Sequence, residues 1–386
     1  MERRVFLAAC PDYNRENVDT AVHRILDGFG GASSFGVGGK KVLIKANLLS
    51  AYAPDRAVTT HPSVVAAIAR EFIAAGAKVT IADSPAGTFN EIGIRRLYSI
   101  CGMNAAAEES GAKLSLSSGH SKVENPDGLL CKSFSIIDAA READFIVSAA
   151  KLKTHGLAYY TGAVKNLFGC IPGLEKPAMH AKYPSKTDFS SMIVDLCELL
   201  KPGFSIIDGV IGMEGAGPSG GTPKFAGVIG GAVNPYALDV AMCAVSSLPL
   251  RLVPVNSEAV ERHLSPSQHT DINYIGGPVS DFKTTFKPAV TTSKAGSRLG
   301  VLAWLAMPKK VSEFFSDRFR NLPKITDDCT GCGKCAEVCP RQIIKIKDQR
   351  AIIDYSACIK CYCCHEFCPA QAIELVRGKS TLKIRL

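Results

Sequence analysis

The sequence lacks the features that mark membrane-spanning, exported and nucleic-acid-binding proteins. None of its apolar runs reaches the ~18 residues that a transmembrane helix needs. The N-terminal run Val5–Cys10 is stopped by Pro11 before it reaches the length of a signal-peptide core. Lysines and arginines never occur in runs longer than two, so the net charge of +9 does not indicate nucleic acid binding. We therefore expect a cytoplasmic protein with no membrane span.

Paired cysteines are also missing from most of the chain, because the six cysteines before Cys329 are scattered singly. This pattern argues against a disulfide framework and indicates a reducing compartment. The other nine of the 15 cysteines lie between Cys329 and Cys368, in two runs that both read C-x2-C-x2-C-x3-C-P. Each position of the first run recurs 29 residues later, from 329 to 358 and from 339 to 368, so the segment is an internal repeat.

The spacing of the two runs is that by which bacterial-type ferredoxins hold two 4Fe-4S clusters, with the last cysteine of each run ligating the other cluster. Two ligand sets are therefore predicted, namely Cys329, Cys332, Cys335 and Cys368 for one cluster, and Cys358, Cys361, Cys364 and Cys339 for the other. Zinc is the alternative, but zinc sites usually consist of two spaced cysteine pairs rather than a duplicated run of this kind. Cys363 fits no ligand position, and we expect a small buried side chain there.

Before the cysteine runs, short apolar segments alternate with longer helical patterns. The predicted strands are Val5–Cys10, Lys41–Asn47, Lys78–Asp83, Lys113–Ser117, Asp144–Lys153, Phe204–Asp208 and Phe225–Ile229. The predicted helices are Asn17–Phe29, Pro62–Ala75, Glu91–Cys101 and Asp188–Leu200. This alternation predicts an α/β fold with a parallel-rich sheet and helices on both of its faces.

We divide the chain into an α/β domain at 1–320 and a small C-terminal α+β, ferredoxin-like two-cluster domain at 321–386. The pattern weakens over 257–320, where helices are predicted at Ser257–His263 and Leu299–Phe319. The second of these has apolar positions at helical spacing with basic residues between them, so it is a candidate docking helix.

Polar side chains gather after the predicted strands, where α/β sheets bind their ligands. Because side chains alternate along a strand, Lys151, Lys153 and His155 share one face, and such basic groups call either for an anionic ligand or for carboxylates of neighbouring loops. The candidate catalytic residues are His61, Lys153, His155 and Lys165, and the candidate ligand-binding residues are Lys45, Asn47, Lys151, Asn166 and Glu214. We expect them to form a basic crevice for a small anionic substrate or cofactor.

The segment Gly215–Gly220 matches G-x-G-x-x-G and follows a predicted strand. A dinucleotide site also needs a helix that begins at the last glycine, whereas another apolar strand follows here. We therefore interpret the segment as a glycine-rich loop, with Glu214 at its start, that lies over the same crevice.

In combination, four segments resemble those of one known group of proteins. They are Lys151-Leu-Lys-Thr-His155, Thr161-Gly-Ala-Val-Lys-Asn-Leu-Phe-Gly169, Asp208-Gly-Val-Ile-Gly-Met-Glu214-Gly and Cys361-Tyr-Cys-Cys-His-Glu-Phe-Cys368-Pro. The group couples the domain of unknown function 362 (DUF362) to a C-terminal two-cluster ferredoxin domain, and the resemblance spans nearly the whole chain. It implies two 4Fe-4S clusters and a cytoplasmic, largely anaerobic or low-potential redox setting, but it implies no substrate.

Two functions agree with these observations. One is a 4Fe-4S oxidoreductase, whose clusters pass electrons to or from an anionic substrate or cofactor in the basic crevice. The other is an electron-transfer adaptor that docks a redox partner protein and has no chemistry of its own. An iron–sulfur assembly or transfer factor is a weaker third alternative, because it would need labile ligands, whereas both predicted sites are fully ligated.

Overall fold

The computed structural model describes residues 2–85, 87, 89–289 and 321–376. Up to residue 289, the strands are β1 (Arg4–Ala9), β2 (Lys41–Ala46), β3 (Lys78–Ala82), β4 (Lys113–Leu114), β5 (His120–Glu124), β6 (Ser133–Ile137), β7 (Phe145–His155), β8 (Tyr159–Thr161), β9 (Phe204–Glu214), β10 (Thr222–Ala232) and β11 (Asn273–Ile275). Most of them form a nine-stranded sheet in the order β11-β1-β10-β9-β7-β2-β3-β4, and β8 pairs with the end of β7. The strands β5 and β6 form a separate hairpin.

Most neighbouring strands of the sheet are parallel. The parallel pairs are β11–β1, β9–β7, β7–β2, β2–β3 and β3–β4. The antiparallel pairs are β1–β10, β10–β9 and β7–β8. The sheet is therefore mixed and parallel-rich, as the alternation of the sequence predicts.

Helices cover both faces of this sheet. They are α1 (Arg15–Asp27), α2 (Pro62–Ala74), α3 (Glu91–Ile100), α4 (Met103–Ser110), α5 (Asp138–Arg141), α6 (Ala163–Asn166), α7 (Glu175–Lys182), α8 (Lys186–Leu200), α9 (Pro235–Val245) and α10 (Pro254–Glu261). Alternate residues of β1 pack into different cores, since Phe6 and Ala8 share a core with α1 and α2, whereas Val5 and Leu7 share one with α9. The predicted α/β fold is confirmed.

The structure differs from the sequence prediction mainly after Asp208. The strand predicted to end there continues to Glu214, because it pairs along its whole length with the antiparallel β10. The glycine-rich segment thus closes a long hairpin. The strand predicted at Lys113–Ser117 is reduced to two residues, and the candidate docking helix Leu299–Phe319 lies outside the described residues.

The C-terminal module contains two short sheets and two short helices. Its strands are β12 (Leu322–Ile325), β13 (Ile344–Lys347), β14 (Arg350–Ile353) and β15 (Ile373–Val376), and its helices are α11 (Lys334–Glu337) and α12 (Cys363–Glu366). The strand β12 pairs with β15, and β13 pairs with β14. The two helices occupy equivalent positions of the repeat, 29 residues apart in 334 to 363, and the residue before each has a positive φ of 78° at Gly333 and 65° at Tyr362.

Among the described residues, no helix has both the length and the apolar character needed to cross a bilayer.

Candidate functional site

The first predicted cysteine set surrounds one small cavity in the C-terminal module. Its sulfur-bearing lining residues are Cys329, Cys332, Cys335 and Cys368. Two of the sulfurs also accept backbone hydrogen bonds, from the Ala351 N–H at 3.4 Å to Cys329 Sγ and from the Ala372 N–H at 3.3 Å to Cys368 Sγ. Four cysteines around one cavity, with amide donors to their sulfurs, fit the ligation of a 4Fe-4S cluster.

The second predicted set is also gathered in one place. Burial raises the pKa of the Cys364 thiol well above its usual value, and so do the neighbouring cysteines Cys361, Cys358 and Cys339 of its own set and Cys335 of the first set. Thiols that oppose one another's ionisation lie close together, and a bound metal cluster removes that opposition by binding them as thiolates. The residues present therefore fit a second 4Fe-4S cluster.

The glycine-rich loop between β9 and β10 holds the C-terminal module against the α/β domain. Ser219 Oγ donates to the carbonyl of Glu366 at 2.8 Å, and Gln371 Nε2 donates to the carbonyl of Ser219 at 3.0 Å. The ring of His365 places Nε2 3.2 Å from the carbonyl of Ala216. No helix follows this loop, so its role in the structure is to join two domains rather than to form a dinucleotide fingerprint.

A pocket of about 60 Å³ lies at this domain interface. The α/β domain supplies the polar lining residues Lys45, Asn47, Asp83, Ser84, Lys165, Asn166, Lys176 and His180, and α12 supplies Cys363 and Glu366. Apolar lining comes from Leu49, Phe168, Pro177 and Phe367. The predicted small buried side chain at Cys363 is indeed 1% exposed, and it borders this pocket.

Lys45 is neutralised within the protein. Its ammonium lies 2.8 Å from Asp83 Oδ1, and both side chains are buried. The same ammonium donates to the carbonyl of Ala46 at 2.6 Å, while the other oxygen of Asp83 accepts the Leu48 N–H. Lys45 is therefore a paired cation of the pocket wall.

Lys153 and two asparagines form the next layer. Lys153 Nζ donates to Asn47 Oδ1 at 2.8 Å and to the carbonyl of Val58 at 2.7 Å, and among the residues that the structure describes it forms no ion pair with a carboxylate. Burial, together with the nearby cations Lys165 and Lys151, lowers its pKa to about 7. Asn47 Nδ2 in turn donates to Asn166 Oδ1 at 3.2 Å, which links this lysine to the pocket.

His155 is held in one tautomer. Its Nδ1 accepts the backbone N–H groups of Leu157 at 3.0 Å and Ala158 at 3.2 Å, so the proton of the neutral ring is on Nε2. That nitrogen lies 3.2 Å from Glu366 Oε1 of α12. Burial lowers the pKa of His155 well below its usual value, and burial raises the pKa of Glu366 to about 7 against the opposing effect of Lys165 and Lys153. The two side chains form a buried polar contact between the domains.

Lys165 differs from the other lysines of the pocket because, within the ranges that the structure describes, its ammonium has no hydrogen-bond or ion-pair partner. It is half-buried, and its Nζ lies 5.7 Å from the ring centroid of Phe168. Burial lowers its pKa, whereas the charges of Glu366 and Cys363 raise it. Lys165 is thus a cation that faces the pocket without a direct ion pair in the described residues, although the charge of Glu366 acts on it.

Two pocket residues on α7 were missed by the sequence analysis. Lys176 Nζ donates to the carbonyls of Ile171 at 2.6 Å and Ser84 at 2.9 Å, and burial lowers its pKa to about 7. The ring of His180 stacks on Phe189 with centroids 4.2 Å apart, and burial lowers its pKa to about 3. A signal was available, because positions 176 and 180 are four residues apart and lie on one face of a helix.

Five of the nine predicted site residues are absent from the pocket lining, and three of these have their contacts elsewhere in the α/β domain. Lys151 Nζ lies 2.8 Å from Asp208 Oδ2, and the backbone N–H of His61 donates to the same oxygen at 3.0 Å. The His61 ring stacks on Tyr13 with centroids 3.6 Å apart, and burial lowers its pKa to about 4. Glu214 Oε2 accepts the Lys287 N–H at 2.9 Å.

The expectation that all the predicted residues converge on one crevice is therefore corrected. The charge of Lys151 is met by a carboxylate on the neighbouring strand β9, which is one of the two alternatives that the sequence leaves open. Lys45, Asn47, Lys165 and Asn166 line the pocket, and Lys153 and His155 contact lining residues from behind.

Comparison with known proteins gives two family matches. The chain matches the model of the domain of unknown function (DUF362) over residues 42–244 and that of a 4Fe-4S dicluster domain over residues 308–378. Among curated proteins, it is 28% identical to a thylakoid-associated protein of Synechocystis sp. over 273 residues, which cover 69% of this chain and 82% of that protein.

Solved structures are more distant. The lactate racemase apoprotein from Thermoanaerobacterium thermosaccharolyticum is 16% identical with a TM-score of 0.39, over 63% of this chain and 57% of that one. A protein from Thermotoga maritima is 11% identical with a TM-score of 0.33, over 56% of this chain and 54% of that one. The chain thus spans little more than half of either structure, and such TM-scores are too low to establish a common fold.

Proposed function

Because the chain belongs to the DUF362 family and carries a 4Fe-4S dicluster domain with an iron–sulfur electron-transfer role, we propose that it is an oxidoreductase acting on a small anionic substrate. In this proposal the two cysteine sets hold two clusters, and the pocket at the domain interface holds the substrate. The bound clusters supply or remove electrons one at a time.

The observation that carries this proposal is the double use of α12. Within this four-residue helix, Cys364 belongs to the second ligand set, while Cys363 and Glu366 line the pocket. One turn of helix therefore separates a cluster ligand from the space where a substrate would lie. A module that only relayed electrons between partner proteins would have no need to build one wall of an internal pocket.

The residues around the pocket have separable roles in this mechanism. Lys165 binds the anionic group and, because its pKa is lowered, holds a proton at Nζ that a reduction can use. Asn47 and Asn166 orient the polar wall through their mutual hydrogen bond. His155 places its Nε2 3.2 Å from Glu366 Oε1 and so helps to position that carboxylate. Phe168 and Phe367 keep bulk water away from the reacting group.

The experiment uses anaerobically purified protein with both clusters reduced. Its reoxidation is followed by cluster absorbance after addition of low-molecular-weight fractions from an anaerobic cell extract. We expect an anionic fraction to accelerate reoxidation of the wild type and of Lys182→Met, an exposed lysine of α7, but not of Lys165→Met. Iron and sulfide content should be the same in all three proteins, since neither Lys165 nor Lys182 is a predicted cluster ligand.

A second candidate function is the electron-transfer adaptor, and one observation favours it. Two of the buried lysines at the ends of the strands, Lys45 and Lys151, are paired with carboxylates at 2.8 Å, which leaves less positive charge for an external anion. If no low-molecular-weight fraction reoxidises the protein and only protein fractions do so, the adaptor replaces the oxidoreductase.

A further inference from the structure

We infer that Cys363, which belongs to neither predicted ligand set, tunes the second cluster: its thiol donates a hydrogen bond to the sulfur of the ligand Cys361 and so raises the reduction potential of that cluster. This role requires only that the second cysteine set holds a 4Fe-4S cluster, and it does not depend on what the interface pocket binds. The spacing of the ligands and the family assignment leave the role of Cys363 open, since both concern the eight ligand positions alone.

Cys363 and Cys361 are two residues apart, and the backbone between them brings their side chains together. Tyr362 lies between the ligand and α12 with a φ of 65°, so the chain turns back at this residue. The sulfur of Cys361 accepts hydrogen bonds from both the side chain and the backbone N–H of Cys363. An iron-bound thiolate carries no proton, so the Cys363 thiol is the donor in the S–H···S hydrogen bond when the cluster is bound.

The surroundings of Cys363 keep this hydrogen bond away from bulk water. The residue is 1% exposed, begins α12 and also borders the interface pocket between the two domains. A hydrogen bond to a charged acceptor is stronger in such a buried environment than it is in water. An aliphatic side chain would fill the same space, so the contact with a ligand sulfur is what distinguishes a thiol at this position.

The hydrogen bond acts on the reduction potential because its strength depends on the charge of the cluster. Reduction adds one electron to the cluster, part of the added charge resides on the ligand sulfurs, and the proton stays on Cys363. A donor to such a sulfur therefore stabilises the reduced cluster more than the oxidised cluster. Hydrogen bonds to metal ligands are a general means by which proteins adjust the properties of a bound metal.

The equivalent position in the first half of the repeat carries a different group. It is Lys334, 29 residues earlier, which also follows a residue of positive φ, Gly333 at 78°. The ammonium of Lys334 lies 2.7 Å from Glu337 on the surface. The same backbone position thus holds a buried thiol in one half and a solvated ammonium in the other. We therefore expect the side chain at position 363 to affect the second cluster and not the first.

The test is a redox titration of the anaerobically purified, cluster-loaded protein, followed by electron paramagnetic resonance. Cys335→Ser removes a ligand of the first cluster, so the titration step that remains in this variant belongs to the second cluster. In Cys363→Ala the donor is lost, and the equilibrium constant for reduction of the second cluster should fall by about two- to tenfold. A tenfold fall is about 59 mV for one electron. The potential of the first cluster should not change.

Cys363→Ser is the matched variant, because serine differs from alanine only by a hydroxyl group that can donate. It should keep the potential of the second cluster closer to that of the wild type than Cys363→Ala does. Both variants should keep about eight irons per chain, since Cys363 is not a ligand. Lys334→Ala tests the equivalent position of the first half and should leave the potential of the second cluster unchanged.

A second readout is the S–H stretching band of Cys363 in infrared difference spectra between the reduced and the oxidised protein. The band should shift when the second cluster is reduced, and it should be missing in Cys363→Ala. The inference is overturned if the wild type and Cys363→Ala have equal potentials, or if the alanine and serine variants lower the potential equally. It is also overturned if Cys363→Ala loses about four irons, because Cys363 would then be a ligand.

Discussion

The two halves of the ferredoxin repeat each contain a short helix at the equivalent position, but the two helices lie in different environments. In the first half, Lys334 and Glu337 of α11 form an ion pair at 2.7 Å on the surface. The equivalent residues of α12, 29 positions later, are Cys363 and Glu366, and both are buried against the α/β domain. The same short helix therefore presents a solvated ion pair in one half and part of a pocket in the other. The spacing of the ligands fixes the helix, whereas the neighbouring domain decides what its remaining side chains do.

The largest test of this comparison removes equivalent ligands. Cys335→Ser and Cys364→Ser should each lower the iron content from about eight to about four per chain, because each variant loses one ligand of one cluster. Only Cys364→Ser should also accelerate hydrogen exchange in peptides that contain the glycine-rich loop Gly215–Gly220, since that loop contacts α12 through the carbonyl of Glu366. Iron and sulfide counts together with hydrogen exchange on the same samples measure both effects. Equal acceleration in the two variants would remove the functional distinction between the halves.

The next test compares the two glutamates. Glu366→Ala removes the buried carboxylate that lies 3.2 Å from His155 Nε2, so we expect a loss of about 1–3 kcal/mol in the free energy of unfolding. Glu337→Ala breaks a surface ion pair and should cost at most about 1 kcal/mol. Urea unfolding of the cluster-loaded proteins under anaerobic conditions measures both values. An equal loss in the free energy of unfolding for Glu366→Ala and Glu337→Ala would contradict the proposed difference between the two helices.

A third test uses pH on the α/β side of the interface. The pKa of Lys153 is about 7 in the folded protein, below the usual 10.5 of a lysine. Between these values the unfolded chain binds more protons than the folded chain, so this lysine makes the free energy of unfolding rise with pH. From pH 7.5 to 9.5 the rise should be about 2 kcal/mol smaller in Lys153→Met than in the wild type.

The control for this pH experiment is Lys334→Met in the exposed half. Because Lys334 is on the surface, its removal should leave the slope of stability against pH unchanged. Urea titrations at both pH values give the slopes. A slope for Lys153→Met that equals that of Lys334→Met would mean that Lys153 keeps the pKa of an exposed lysine.

The smallest expected effect concerns the loop that holds α12. Ser219→Ala removes the hydrogen bond to the carbonyl of Glu366 and should cost about 1 kcal/mol. Hydrogen exchange followed by mass spectrometry should show faster exchange in peptides that contain α12 and unchanged exchange in those that contain α11. Faster exchange in both helices would indicate a general loosening of the module instead.

Local patterns explain what the sequence could predict. The spacing of the cysteines predicts the C-terminal module. The hydrophobic periodicity of short segments predicts the alternating strands and helices of the α/β fold. The strand β9 was predicted six residues too short because its extension depends on pairing with β10, which a strand pattern read alone does not contain.

The convergence of side chains was harder to predict, since it depends on contacts that are distant in the sequence. His155 and Glu366 are separated by more than two hundred residues, and their contact exists only because two domains meet. Lys151 and Lys153 look equivalent in the strand, yet one meets Asp208 and the other Asn47. Which lysine finds a carboxylate depends on the neighbouring elements, and a single sequence does not order them.

The glycine-rich loop contacts the C-terminal module largely through main-chain atoms, since the carbonyls of Ala216 and Ser219 both accept hydrogen bonds from it. A backbone carbonyl can accept a hydrogen bond whatever side chain the residue carries. The backbone path of the loop, in contrast, restricts which residues can occupy some of its positions. Gly215 has a φ of 77°, and a Cβ on Gly217 would lie 2.1 Å from the carbonyl oxygen of Thr154. In related proteins we therefore expect glycine to be invariant at positions 215 and 217, whereas position 216 should accept other residues.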